Sequence, residues 1–126
     1  EVEIKAEEKE IVVTPNANID DIKHEANQNL YMERADGSYL ENNISKTGDK
    51  VWINDVQYTV VKKGDCSGDG YAKASDYLMI KDYIMGTGTA KLEGGYKKAA
   101  DVKEDSEIKA SDYLKIKDYI MYGVEI

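Results

Sequence analysis

The chain has almost no histidine and almost no cysteine: 126 residues include one His, His24, and one Cys, Cys66. A single cysteine excludes an internal disulfide. One histidine, in a polar stretch without partners, leaves zinc binding and His-based catalysis without a candidate and reads as a solvated surface residue. No segment approaches the roughly 18 consecutive apolar residues of a membrane helix, and no apolar region near Glu1 marks a signal peptide. The chain therefore reads as a piece of a longer, secreted protein. Positive charge is also short. Lys and Arg number 17 against 25 Asp and Glu, a net charge of −8. Residues 1–63 hold 13 acids and 8 bases, and residues 64–126 hold 12 and 9. Neither half carries a basic footprint, so nucleic acid and anionic membrane are excluded as expected partners. A divalent cation suits the clustered aspartates better. A small chain without disulfides needs another staple, and bound metal is a common one.

What is present is an internal repeat. Residues 73–85 read KASDYLMIKDYIM and residues 109–121 read KASDYLKIKDYIM. The copies are 36 residues apart and differ only at Met79 against Lys115. Two copies are too few for a solenoid, so they predict a paired unit with an approximate two-fold axis. Each copy reads as a loop followed by a helix. Tyr77, Ile80 and Ile84 share one helical face, as do Tyr113, Ile116 and Ile120. Each stripe is too narrow to be stable alone, so the two helices are expected to pack together and bury both. Gly86-Thr87-Gly88-Thr89 and Gly94-Gly95 read as a helix stop and a flexible connection. Leu92, Tyr96 and Ala99-Ala100 suggest a short third helix.

The loop before the first helix, Asp65 to Asp76, has the spacing of an EF-hand calcium loop. Oxygen-bearing side chains stand at positions 1, 3 and 5 (Asp65, Ser67, Asp69), glycine at 6 (Gly70) and a carboxylate at 12 (Asp76). Tyr71 at position 7 offers its main-chain carbonyl. A hard cation wants six to eight oxygens, and alternate positions of a chain wrapped around it point inward. Lys73 at position 9 cannot ligate, which leaves that place to water. Cys66 at position 2 is expected to point outward as an incidental free thiol. The second loop runs from Asp101 to Asp112, with Asp101, Asp105, Glu107 and Asp112 as its candidate ligands. Lys103 replaces the oxygen at position 3, and Ser106 stands where glycine is preferred. Either the Lys103 ammonium sits among the acids in place of a metal, or it swings out.

The N-terminal half has a different texture. Glu10–Thr14 reads as a strand ended by Pro15, Asn18–Gln28 as a short helix with Ile19 and Ile22 inward, and Asn29–Arg34 as a second strand. Lys50–Asn54 and Gln57–Lys62 form a hairpin about Asn54-Asp55. The fold class expected is α+β. Residues 1–63 form a small, mostly antiparallel β module with one helix, and residues 64–126 an all-α pair of loop–helix repeats. The last strand runs directly into Gly64-Asp65, and no Pro/Ser/Thr-rich stretch separates the halves, so the junction is expected to be rigid.

Residues 64–122 resemble a dockerin, the docking module of cellulosomes and related bacterial surface assemblies. The resemblance rests on Gly64-Asp65-Cys66-Ser67-Gly68-Asp69-Gly70, Asp76-Tyr77-Leu78, Lys81-Asp82-Tyr83-Ile84-Met85-Gly86, and the second copy from Ala100-Asp101 to Met121. Both loops end in Asp, as in dockerins, and a strand replaces the usual entering helix. The resemblance implies calcium binding and a cohesin partner on a scaffold or surface protein. It also implies an extracellular or cell-surface location and no catalysis. It places recognition on Ala74, Ser75, Lys81 and Asp82, and on Ala110, Ser111, Lys117 and Asp118. A helical wheel independently draws a second stripe through Leu78, Lys81, Asp82 and Met85, copied as Leu114, Lys117, Asp118 and Met121. The unbound chain is expected to be a monomer. Two other functions compete: a calcium-stabilised spacer that packs on its own neighbouring module, and a carbohydrate-binding module whose platform would be Trp52, Tyr31 and Tyr39, residues that otherwise pack a small core.

Overall fold

The computed structural model describes residues 2–28, 30–86 and 92–126. Its strands are β1 (Val2–Lys5), β2 (Glu10–Val13), β3 (Tyr31–Glu33), β4 (Lys50–Ile53) and β5 (Val56–Lys62). Its helices are α1 (Ile19–Ala26), α2 (Ala74–Met85), α3 (Gly94–Ala100) and α4 (Ala110–Tyr122). The fold class is α+β.

The strands form one sheet in the order β1-β2-β5-β4-β3. Three of its pairings are antiparallel, and the central β2–β5 pair is parallel. The parallel pair follows from the connection: α1, β3 and β4 intervene, so β5 enters beside β2 running the same way. Asn54 and Asp55 turn the β4–β5 hairpin with φ of +50° and +67°, a region these two side chains tolerate. Asn18 caps α1. Its Oδ1 accepts the Asp21 N–H at 3.0 Å, and the Asp21 carboxylate accepts the Asn18 N–H at 2.8 Å.

Period-two alternation divides the sheet's apolar residues between two cores. On one face Ile11, Val13, Val51 and Val60 pack with Ile19 and Ile22 of α1. On the other, Val12 and Val61 join Cys66, Ile80, Leu92, Ala99, Ala100, Val102 and Ile116. The repeat half thus builds its core against the back of the N-terminal sheet. The junction is taut. The Lys63 N–H donates to the Val13 carbonyl and the Gly64 N–H to the Ala99 carbonyl, both at 2.9 Å.

The two long helices begin and end alike. Asp76 accepts the Lys73 N–H at 2.7 Å and Asp112 the Lys109 N–H at 2.9 Å. Gly86 and Gly123 close them in the left-handed region, where glycine carries no Cβ penalty. Ile80 and Ile116 are fully buried, and Tyr77 meets Tyr113 edge-on with ring centroids 5.4 Å apart. Ile120 packs on the same core, but Ile84 is 41% exposed and does not. α4 continues into a tail whose Ile126 covers that core. Gly94 and Gly95 open α3 instead of forming a flexible connection. A Cβ on Gly95 would lie 3.7 Å from Thr59 and 3.8 Å from Val61, so the bare backbone lets α3 lie close on β5. The expected stop at Thr87-Gly88-Thr89 lies outside the described residues.

Candidate metal centre and docking face

The first loop is organised around Asp65, which has no exposed surface. Its Oδ1 accepts N–H groups from Gly68 and Asp69, and its Oδ2 accepts those of Gly70 and Thr47, each at 3.0 Å. The chain can curl this tightly because Gly68 and Gly70 take φ of +82° and +94°. Asp76, in the first turn of α2, accepts the Ser67 N–H at 3.0 Å. Carboxylate oxygens of Asp65, Asp69 and Asp76 lie within 4.8 Å of one another. Ser67 is exposed, and its side chain hydrogen-bonds the Asp76 carboxylate. The Tyr71 ring is also exposed, while its N–H donates to Asp69 Oδ1 at 2.9 Å.

Burial and the neighbouring Asp76 and Asp69 charges push the Asp65 carboxyl up to about 6, against the hydrogen bonds it accepts. Burial likewise raises Asp76. Desolvation acts on Asp69 too, but the Lys73 ammonium, 2.7 Å away, and the Tyr71 N–H outweigh it and hold that carboxyl low. Among the described residues neither Asp65 nor Asp76 has an ion-pair partner. Three convergent carboxylates, two of them buried and neither in a direct ion pair, with the Lys62 ammonium the nearest positive charge acting on Asp65, form a donor set that a hard divalent cation fits.

The second loop copies the first at lower quality. Carboxylate oxygens of Asp101, Asp105 and Asp112 also come within 4.8 Å. Among the described residues the Asp101 carboxylate accepts two N–H groups, those of Asp105 and Ser106, at 3.2 and 2.7 Å. Glu104 and Ser106 take φ of +55° and +68° at the places of Gly68 and Gly70, a conformation that costs a residue with a Cβ about 1 kcal/mol or more. Lys103 is exposed, and among the described residues its ammonium pairs with no carboxylate. Of the two readings of Lys103, this is the one in which it swings out. The Glu107 carboxylate stays outside the cluster, bonded to Lys109 at 2.8 Å.

Cys66 corrects a reading. It was expected to point outward, yet it is 1% exposed and its thiol donates to the Asp76 carbonyl at 3.3 Å. Burial, then the Asp76 and Asp65 charges, push the thiol far above its usual range, so it is no nucleophile. The signal was available in the repeat. The equivalent residue is Val102, also buried, because position 2 of each loop faces the shared core.

The second helical stripe is on the surface in both copies. Leu78 and Met85 are 47% and 62% exposed, and Leu114 and Met121 are 51% and 55%. Ala74, Ser75, Lys81, Ala110 and Asp118 are exposed, while Asp82, Ser111 and Lys117 are half-buried. Tyr31 and Tyr39 are also exposed rather than core residues, and Tyr31 stands 5.3 Å from Trp52 between ring centroids. Sequence reasoning missed the contacts made from outside the repeats. Thr47 reaches Asp65, and the buried Lys62 ammonium donates to the Gly70 carbonyl at 2.8 Å and the Ser45 carbonyl at 2.9 Å. Glu104 of the second loop pairs with Lys5 at 3.0 Å and Lys63 at 3.6 Å.

Two loop–helix units, each headed by an acid cluster able to hold a metal and each presenting the same outer helix face, define a duplicated calcium-loop type of module. Residues 63–121 match the family model of the dockerin type I domain. No curated protein and no solved structure matches the chain.

Proposed function

We propose that the chain is a non-catalytic, calcium-dependent docking module that binds a cohesin and attaches a secreted parent protein to a scaffold or cell-surface assembly. Residues 64–126 are the docking unit and residues 1–63 an accessory unit packed on it. Calcium in the first loop would neutralise the acid cluster and tie the loop to the first turn of α2. Asp65, Asp69 and Asp76 would hold it by carboxylate, with Ser67 and the Tyr71 carbonyl completing the set. The second loop would hold calcium less tightly, because Lys103 supplies no oxygen and adds positive charge.

The observation that carries this reading is the pair of stripes identical in sequence, Leu78-Lys81-Asp82-Met85 and Leu114-Lys117-Asp118-Met121, whose Leu and Met side chains are exposed in both copies. Core packing requires no repetition of surface residues, whereas a partner that reads either helix does. Capture of a cohesin from a panel, with calcium and with chelator, tests it. Binding in calcium that chelator abolishes supports the proposal, and no capture from a broad panel contradicts it.

The spacer reading draws on the contacts from Thr47, Lys5 and Lys63 to the two loops. These contacts leave both stripes uncovered, which favours an external partner. The Tyr31–Trp52 pair favours a glycan site, and glycan binding that persists in chelator would support that reading.

A further inference from the structure

We infer that the first calcium centre is positioned by two residues outside the loop, Thr47 and Lys62, so that calcium binding and the ordering of residues 44–49 are one linked event. The inference rests on the calcium reading of the first loop.

The N-terminal unit reaches Asp65 through the Thr47 N–H, one of the four donors that fix the carboxylate. Thr47 is itself fixed. Its Oγ1 accepts the Lys62 N–H at 3.0 Å and donates to the Lys62 carbonyl at 3.3 Å. The Lys62 ammonium, 3% exposed, then holds the Gly70 carbonyl. The peptide joining Gly70 to Tyr71 is thus gripped at both ends, by Lys62 on its oxygen and by Asp69 on its N–H. That peptide sets the direction of the next carbonyl, the one Tyr71 offers the metal. The bracing segment is anchored in turn by Arg34, whose guanidinium donates to the Ile44 carbonyl at 2.9 Å and to Asp49 at 2.8 Å. Asp49 also accepts the Lys46 N–H at 2.9 Å. The fit is close: a Cβ on Gly70 would stand 2.5 Å from Ile44 Cγ2.

The second loop lacks this brace. No N–H from outside its loop reaches Asp101 among the described residues, and Lys98, 36 residues after Lys62, pairs with Glu10 instead. Two copies of one loop therefore differ in what holds them, as well as in their ligands. A carboxylate and a carbonyl already held in place lose less freedom when the cation binds, which raises affinity. By linkage, calcium must order the brace as much as the brace favours calcium.

The test is a calcium titration of the full chain, with Thr47→Val and Thr47→Ser beside it and Asp76→Asn as control. Valine keeps the shape of Thr47 but removes both hydrogen bonds to Lys62. Affinity at the tighter site should fall about tenfold in Thr47→Val, return in Thr47→Ser and remain unchanged at the weaker site. In the unaltered chain, amide exchange at Thr47 should slow when calcium is added, a readout that needs no variant to fold. Unchanged affinity in folded Thr47→Val, or Thr47 exchange indifferent to calcium, overturns the inference. If Asp76→Asn abolishes the tight site while Thr47→Val does not, only the brace is wrong. If the folded wild-type chain takes up no calcium, the loop reading falls and the inference with it.

Discussion

Lowering the pH from 7 to 5 should stabilise the calcium-stripped chain, contrary to the usual effect of acid. The cause is Asp65, whose folded carboxyl titrates at about 6 against an ordinary 3.8. A group whose folded pKa is raised contributes stability that is fully present below the unfolded pKa and lost as pH rises through the folded one. Between pH 7 and pH 5 that linkage returns about 1.3 kcal/mol. For a chain of this length, with an unfolding entropy of about 2.1 cal/mol/K per residue, Tm rises by about 5 °C. Asp76, Asp49 and Asp101, also raised chiefly by burial, act in the same direction. Glu104 and Glu41 are held low by hydrogen bonds from Lys5 and Arg34. Their contribution is lost only as pH falls below the ordinary carboxylate range, outside this window. Calcium requires the Asp65 carboxylate ionised, so the rise in Tm produced by calcium should shrink between pH 7 and 5. Scanning calorimetry on resin-stripped protein at pH 7, 6 and 5, with and without added calcium, makes both comparisons. A calcium-stripped Tm that is flat or falls towards pH 5 would mean that burial does not raise the Asp65 carboxyl.

Lys103→Asp should tighten the weaker calcium site by about tenfold and leave the stronger one unchanged, since it exchanges a repelling charge for an oxygen ligand; calorimetric titration reads both sites. Ile80→Ala and Ile116→Ala should each cost about 2–5 kcal/mol in a denaturant melt, because both side chains are fully buried between the helices and the sheet. Reversing one docking face, Lys81→Glu with Asp82→Lys, should weaken cohesin binding by only about twofold if the partner can turn round and read α4. A single-face variant that abolishes binding while its counterpart is silent would mean that one helix alone is read.

The repeat made half of this fold legible. Twelve matches in thirteen positions identified two equivalent helices, and the acid spacing placed Asp65, Asp69 and Asp76 around one point. Short-range signals in the N-terminal half were equally readable, among them the Asn18 cap and the Asn54-Asp55 turn. Long-range pairing was not. Nothing local says that β5 lies parallel to β2, or that Val12 and Val61 belong to the core of the repeat half. Thr47 and Lys62 were missed for the same reason, since their partners are 18 and 8 residues away across a chain reversal. Loop geometry alone turns Cys66 outward, whereas the repeat turns it inward, because Val102 marks the same position as apolar.

The central claim is that α2 and α4 present one docking face twice and that calcium holds it in shape. A binding isotherm with a captured cohesin tests this most directly, comparing the wild-type chain with the variant reversed on both faces at Lys81, Asp82, Lys117 and Asp118. The account predicts tight binding by the wild type in calcium, none in chelator, and none by the doubly reversed variant even in calcium, although its melting remains that of a folded, calcium-loaded chain. Binding by that folded variant at wild-type strength would contradict it.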